Sequence, residues 1–208
     1  MKELSADEFH TSVRNIETTL RRKYGFTKNI DEFTQQYIFD PSMKTLTLDL
    51  GCGNKMKNPF GAQSVYGIDS RDDLGPFVKQ ANLAIEKIPY PDNSFDSCTA
   101  FDFIEHIPRN YLVEGKTRYC FIQLMNEIHR ILKPNALFLH LTPCYPATQA
   151  FQDPTHVNLI SEDTFPVYFC DPTNLAKEIG YGFNGSFKLK AQSWISVSHI
   201  AGIMQAIK

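Results

Sequence analysis

The chain has no C-x-x-C pair, and its five cysteines (Cys52, Cys98, Cys120, Cys144 and Cys170) are odd in number and scattered. That excludes a disulfide framework and a zinc knuckle, and it points to reduced thiols in a cytoplasmic setting. There is no excess of positive charge: 21 Lys and Arg stand against 23 Asp and Glu, a formal net charge of −2. A nucleic-acid footprint is therefore not expected. No apolar run is long enough to span a bilayer, so no membrane contact is expected, and MKELSADEFH does not read as a secretory signal. No repeat, low-complexity tract or interdomain linker is visible. At 208 residues and 42% hydrophobic content, one domain with a sizeable core is expected.

The N-terminus carries helix signals. Ser5-Ala6-Asp7-Glu8 reads as a capping box, and Phe9, Val13, Ile16 and Leu20 mark one apolar stripe. The basic cluster Arg21-Arg22-Lys23 closes that helix, where cations complement its dipole. A helical cap is expected over about residues 5–40, with Tyr24, Phe26, Tyr37 and Phe39 packing it down in preference to lining a lid.

The densest signal is LDLGCGN at 48–54. Residues 45–50 alternate β-branched and leucine side chains, as a buried strand does. The strand ends at Asp49-Leu50 and breaks at Gly51 and Gly53, which let the backbone turn sharply and approach a ligand. A dinucleotide fingerprint would need a third glycine, but Met56 stands there, which opposes a nicotinamide oxidoreductase. Pro59 and Gly61 limit any crossover helix here to a turn or two. SVYGID at 64–69 reads as a second strand ending in Asp69, an acid placed to accept two ribose hydroxyls.

LDLGCGN matches the first motif of the class I S-adenosylmethionine-dependent methyltransferases, hydrophobic-Asp-hydrophobic-Gly-x-Gly, and the chain resembles that class, in its type 11-like small-molecule branch. IPYPDNSFD at 88–96, FDFIEHI at 101–107 and NEIHRILKPNALFLHL at 126–141 resemble later segments of the same family. In the last of these Asn135 and Ala136 replace two glycines, and Asn tolerates the left-handed conformation. The resemblance covers residues 46–141 well and the rest by architecture.

The resemblance implies an α/β, Rossmann-like, seven-stranded doubly wound sheet whose last strand is antiparallel and lies between the fifth and sixth. It implies S-adenosyl-L-methionine as cofactor. Gly51, Cys52, Gly53 and Asn54 would approach its methionine moiety, with Asp49 holding the amino end. Asp69 and Ser70 would take the ribose. Asn82 and Leu83 would meet the adenine, Asn82 being preferred to Ala84 because its side-chain oxygen can accept from an amino group. Phe101, Asp102 and His106 would lie along the sulfonium and methyl end. His106 has the alternative of simply packing at a helix end.

Two further regions stand on their own chemistry. Phe121, Leu124, Met125, Ile128, Ile131 and Leu132 fall on one helical face, and Pro134 stops that helix at or before Lys133. After a strand over 136–141, residues 142–158 form a proline-rich loop, too long for an ordinary connection and too rich in proline for regular structure. It leaves the carboxyl end of a strand, where open α/β sheets bind ligands. In one reading His156, oriented by Asp153, is a general base for an acceptor hydroxyl, and His106 is the other catalytic candidate. A metal held by Asp153, His156 and His106 is an alternative, but D-P-T-H is not a ligand signature and no metal is expected. The bland alternative is a turn capped by Asp153 with a packed His156. The DPTH loop resembles segments of bacterial methyltransferases that accompany glycan or small-metabolite pathways.

His140, inside a strand, reads as a hydrogen-bonded core histidine; His10, His129 and His199 carry no expected role. Residues 187–191 and 198–207 supply two last strands, and Tyr168, Phe169, Tyr181, Phe183 and Trp194 read as core before pocket wall. The function expected is methyl transfer to a small-molecule acceptor, a sugar or other metabolite, with oxygen favoured. Base-free N-methylation and a non-catalytic nucleotide-binding protein on a degenerate methyltransferase fold are the alternatives.

Overall fold

The computed structural model describes residues 5–8, 10–12 and 24–208. Residues 6–8 and 10–12 are helical, and the capping box forms: the Ser5 amide and hydroxyl both donate to Glu8 Oε2 at 2.9 Å, and the Glu8 amide donates to Ser5 Oγ at 3.2 Å. The stripe residues Phe9, Val13, Ile16 and Leu20 and the cluster Arg21-Arg22-Lys23 lie outside the described residues.

In chain order the elements are β1 (Phe26–Thr27), α1 (Ile30–Thr34) with a 3-10 turn (Gln35–Tyr37), β2 (Leu46–Leu50), β3 (Ser64–Asp69), β4 (Val78–Gln80), β5 (Phe95–Phe101) and a 3-10 turn (Ile104–His106). There follow a separate hairpin of β6 (Tyr111–Val113) and β7 (Lys116–Arg118), then α2 (Cys120–Ile131), β8 (Leu132–Pro143), α3 (Gln149–Gln152), α4 (Thr164–Phe169), α5 (Leu175–Glu178), β9 (Phe187–Ile195) and β10 (His199–Ala206). The main sheet runs β1-β9-β10-β8-β5-β2-β3-β4. Its pairs are parallel except those of β10, which runs antiparallel to both β8 and β9. The seven expected strands are therefore present, and an eighth, the two-residue β1, extends the edge beside β9.

From β2 the chain steps outward through β3 to β4, then returns to the other side of β2 as β5. The order reverses between β2 and β5, so their carboxyl ends flank a crevice, the usual ligand site of such sheets. The crossover over 51–63 holds no helix at all, shorter than the turn or two expected. Asp49 contributes to this: its Oδ2 accepts the Lys57 amide at 2.8 Å and straps the loop to the end of β2.

α2 buries Phe121, Leu124, Met125, Ile128 and Ile131, the stripe expected of it, against the sheet. It ends at Ile131 and passes directly into β8, so Leu132 is the first residue of the strand rather than the last of the helix. Pro134 makes that abrupt exit necessary, and Asn135 takes the left-handed conformation at φ 65°. The same face holds Phe165, Phe169, Phe183, Phe187 and Trp194, so three of the five aromatics in question, Phe169, Phe183 and Trp194, are core. The opposite face is covered by Phe33 and Phe60, with Tyr37 and Phe39 packed against them.

His140 is an anomaly in this core. It has no exposed surface, neither ring nitrogen has a partner, and its ring stacks on Phe165 at 3.7 Å between centroids. The expected hydrogen-bonded histidine is instead an unbonded one, because the helices covering β8 present phenylalanines there. Burial pushes its pKa down to about 3. In the unfolded chain it titrates near ~6.5. Over that window the unfolded state binds the extra proton, so stability falls as pH falls. Asp49, raised to about 6 by burial, acts in the opposite sense, so the comparison must be with a variant that keeps Asp49. Relative to His140→Leu, the natural chain should lose roughly 1.4 kcal/mol per pH unit below about pH 6.5, read from urea denaturation. Identical pH slopes for the two proteins would show that His140 has a buried partner after all.

Candidate functional site

The crevice between the ends of β2 and β5 contains a cavity of about 280 Å³. Its walls are Gly51, Ile68, Asp69, Ser70, the segment Ala81, Asn82, Leu83, Ala84 after β4, and Asp102, Phe103, His106 and Ile107 after β5. Seven residues singled out in the sequence are brought together here: Gly51, Asp69, Ser70, Asn82, Leu83, Asp102 and His106.

The glycine turn is built against β3. The amides of Gly51 and Cys52 donate to the Ile68 carbonyl at 2.8 and 3.2 Å, and the Gly53 amide donates to Asp69 Oδ2 at 2.9 Å. Both glycines have positive φ, 64° and 56°. At Gly51 a side chain would also overlap the Phe103 ring, which lies over the turn.

Asp69 is already engaged. Its Oδ1 accepts the Arg71 amide at 3.0 Å and Arg71 Nε at 2.9 Å, and its Oδ2 accepts Arg71 Nη2 at 3.2 Å. The Arg71 hydrogen bond holds the carboxyl at about 2, so it is charged. The guanidinium itself is mostly exposed, so a ligand hydroxyl that replaced it would lose little. Arg71 was not anticipated; two residues after the acid, it sits in an ordinary loop sequence.

Five residues do not line the cavity as expected. Asp49 is buried beneath the turn, where its carboxylate accepts Thr99 Oγ1 at 2.7 Å and the Lys57 amide. Cys52 packs inward against Gly67, and burial raises its thiol to about 11. Asn54 is exposed, and Phe101 packs on the opposite face of the sheet. Gly53 acts from behind through its amide to Asp69. Asn82 lines the cavity, but its Oδ1 already accepts the Ala84 amide at 3.2 Å. The turn's own backbone competes for that oxygen, a competition invisible in the spacing.

Beyond the cavity the loop after β8 docks on the 3-10 turn. The amides of Val157 and Asn158 both donate to the Glu105 carbonyl at 2.9 Å, and Asn158 Nδ2 donates to the Ile104 carbonyl at 3.2 Å. Arg109 clamps the loop by bonding Asn158 Oδ1 and the Leu159 carbonyl. One turn of helix, α3, forms in a loop expected to have none. The docking sets His106 and His156 edge to face, 4.9 Å between centroids. Asp153 does not orient His156: the separation is 3.9 Å, beyond hydrogen-bond range. It accepts instead from the Thr155 hydroxyl at 2.6 Å, and that oxygen lies 3.0 Å from His106 Nδ1. A hydroxyl has one proton to give, so His106 Nδ1 is the donor to Thr155 and Nε2 carries the free lone pair.

His199 and Glu105 join the site without a signal in the sequence. Asp102, at φ 47°, places Oδ1 3.0 Å from His199 Nε2, and His199 Nδ1 meets Ser198 Oγ at 2.7 Å. Glu105 is buried behind His106, with Oε2 accepting the Thr142 hydroxyl at 2.8 Å. A larger cavity of about 530 Å³, walled by Tyr119, Tyr168 and Tyr181 among others, holds none of the expected site residues.

An open sheet that reverses only β10, with a glycine turn and an acid at its switch point, places this protein among the class I S-adenosylmethionine-dependent methyltransferases. Comparison with known proteins agrees: a family model described as a methyltransferase domain matches residues 21–179, and the chain belongs to that family. A demethylmenaquinone methyltransferase of Staphylococcus epidermidis is 24% identical over 170 residues, 70% of this chain and 64% of the relative, so the chain spans less than two thirds of that relative's length. Among solved structures, an S-adenosylmethionine-dependent methyltransferase from Aquifex aeolicus superposes with a TM-score of 0.51 at 14% identity, covering 95% of this chain and 98% of the other. The cyclase SpnF superposes at 0.56 with 13% identity, covering 95% and 92%. These structural likenesses are of fold.

Calorimetry with S-adenosylhomocysteine tests the cavity. Asp69→Ala should weaken binding about 30- to 900-fold, the loss of two charge-assisted hydrogen bonds at ~2–4 kcal/mol together. Arg71→Ala should leave affinity unchanged or tighten it up to about five-fold, since an exposed pair is worth at most ~1 kcal/mol. Gly51→Val should keep the far-ultraviolet dichroism of the natural chain and bind no ligand; normal binding would make the turn purely structural.

Proposed function

We propose that the protein transfers the methyl group of S-adenosylmethionine to an oxygen of a small-molecule acceptor. The observation that carries this reading is the imidazole pair His106–His156 at the edge of the cavity, with His106 oriented by Thr155 and Asp153. Asp69, Ser70, Asn82 and Leu83 would hold the nucleoside, and Gly51 would leave room for the methionine chain. The acceptor enters over the loop after β8, whose exposed Tyr145, Phe151 and Val157 offer an apolar surface.

In the step itself the acceptor oxygen forms the new O–CH₃ bond. The S–CH₃ bond breaks with its electron pair going to sulfur, which discharges the sulfonium. The acceptor's proton goes to an imidazole of the pair. Orientation supplies much of the rate, because attack must be in line with the departing sulfur. A polar acceptor such as a sugar suits the histidine rim. The name of the Staphylococcus relative suggests a ring acceptor instead, and the apolar loop residues favour that as the second reading.

His156 does not line the cavity, so it separates transfer from cofactor binding. His156→Ala should slow single-turnover methyl transfer by roughly 10²–10⁴-fold, the usual worth of a positioned acid–base group. Its affinity for S-adenosylhomocysteine should change less than about three-fold, because the residue makes no contact there. Equal losses in both would mean that the loop closes over both ligands, and no loss of rate would return His156 to packing.

A further inference from the structure

Behind the imidazole pair lies an arrangement that base catalysis does not explain. Among the described residues, Glu105, His106 and His156 each offer one ligand atom, and these atoms lie within 4.8 Å of one another. Glu105 is 2% exposed, and the His156 side chain is 9% exposed. Two of their atoms, Glu105 Oε1 and His156 Nδ1, are buried with no hydrogen-bond partner. A buried polar atom left unpaired is costly, and two of them on residues whose ligand atoms lie within 4.8 Å of one another call for a shared ligand.

We propose that Glu105, His106 and His156 form a binding site for a divalent first-row transition metal ion. Two imidazoles with one carboxylate suit manganese, iron or zinc better than magnesium, which prefers an all-oxygen octahedron. The surroundings are those of a ligand set. His106 gives its Nδ1 proton to Thr155, backed by Asp153, which fixes the ring and leaves Nε2 bare. Glu105 is held through Oε2 by Thr142, leaving Oε1 for the ion. The Glu105 carbonyl, accepting from Val157 and Asn158, carries His156 to the other two. Ligand atoms at right angles around an ion sit about 3 Å apart for ~2.1 Å bonds, so small side-chain rotations close the set.

Three protein ligands leave open positions, and His106 borders the cavity. The ion would take the acceptor's hydroxyl in one of them and lower its pKa; with both imidazoles committed to the ion, the proton would leave to solvent rather than to the pair, and the oxygen would then attack the methyl group. This catalytic consequence rests on the oxygen-acceptor reading; the binding of the ion does not.

The test uses the full chain, stripped with chelator and titrated with Mn²⁺, Zn²⁺ and Mg²⁺ by calorimetry, without cofactor or acceptor. The expected result is one equivalent of Mn²⁺ or Zn²⁺ per chain, with Mg²⁺ much weaker. His156→Ala and Glu105→Gln should each abolish the saturable event, and Thr155→Val should weaken it about 10- to 100-fold by freeing the His106 ring. Dichroism and S-adenosylhomocysteine binding verify the fold of each variant; if Glu105→Gln does not fold, the other two decide. No saturable binding by the natural chain, or binding unaffected by His156→Ala and Thr155→Val, overturns the site. Equal affinity for Mg²⁺ overturns the choice of ion. A chain that binds no ion yet slows on His156→Ala loses this site but keeps the oxygen-transfer reading.

Discussion

The hydrogen bond from the Gly53 amide to Asp69 Oδ2 is the contact on which the binding crevice depends. It joins the turn after β2 to the end of β3, alongside the two amides that the Ile68 carbonyl accepts. A turn with two positive-φ residues is entropically costly to hold, and only fixed partners make it a rigid wall. The partner works as a charged group, and the Arg71 hydrogen bond lowers its carboxyl further, to about 2. The neighbouring acid shows the contrast. Asp49, a strand away and buried, has its carboxyl raised to about 6 by the loss of water and serves as a strap for the 49–57 loop. Two similar acids thus divide the labour by environment: one faces the cavity and one builds it.

The second constraint is the seating of the loop after β8 on the 3-10 turn after β5. Its bonds run through the carbonyls of Glu105 and Ile104, and through Asn158 and Arg109. This places a long, proline-rich segment at the rim without giving it much secondary structure. The arrangement leaves buried atoms unpaired at Glu105 and His156, a cost a fold without a ligand would be free to avoid. A core feature such as His140 shows the same cost without the convergence: its ring stacks on Phe165 and neither nitrogen has a hydrogen-bond partner.

An open α/β sheet hosts many reactions, so the chemistry is decided where the loops meet. Here the segments after β5 and β8 meet, because those strands are adjacent with their carboxyl ends together. The sheet sets which loops are neighbours, and the loops set which side chains face the crevice.

Local physics made much of this legible from residues alone. The capping box at Ser5–Glu8, β3 ending at Asp69, the apolar stripe of α2 and its stop before Pro134 all arise from interactions a few residues long. That Gly51, Asp69 and His106 border one cavity was readable for the same reason, as a strand end and a motif carry them. Partner choice was not. Arg71 on Asp69, Thr155 between Asp153 and His106, His199 on Asp102, and the orphaned oxygen of Glu105 depend on which atom wins among several within reach. The Thr155–His106 contact spans 49 residues of chain. Periodicity and turn chemistry determine where each strand and helix lies. Only the packed tertiary structure, by desolvating each side chain among particular neighbours, decides what that side chain can bind.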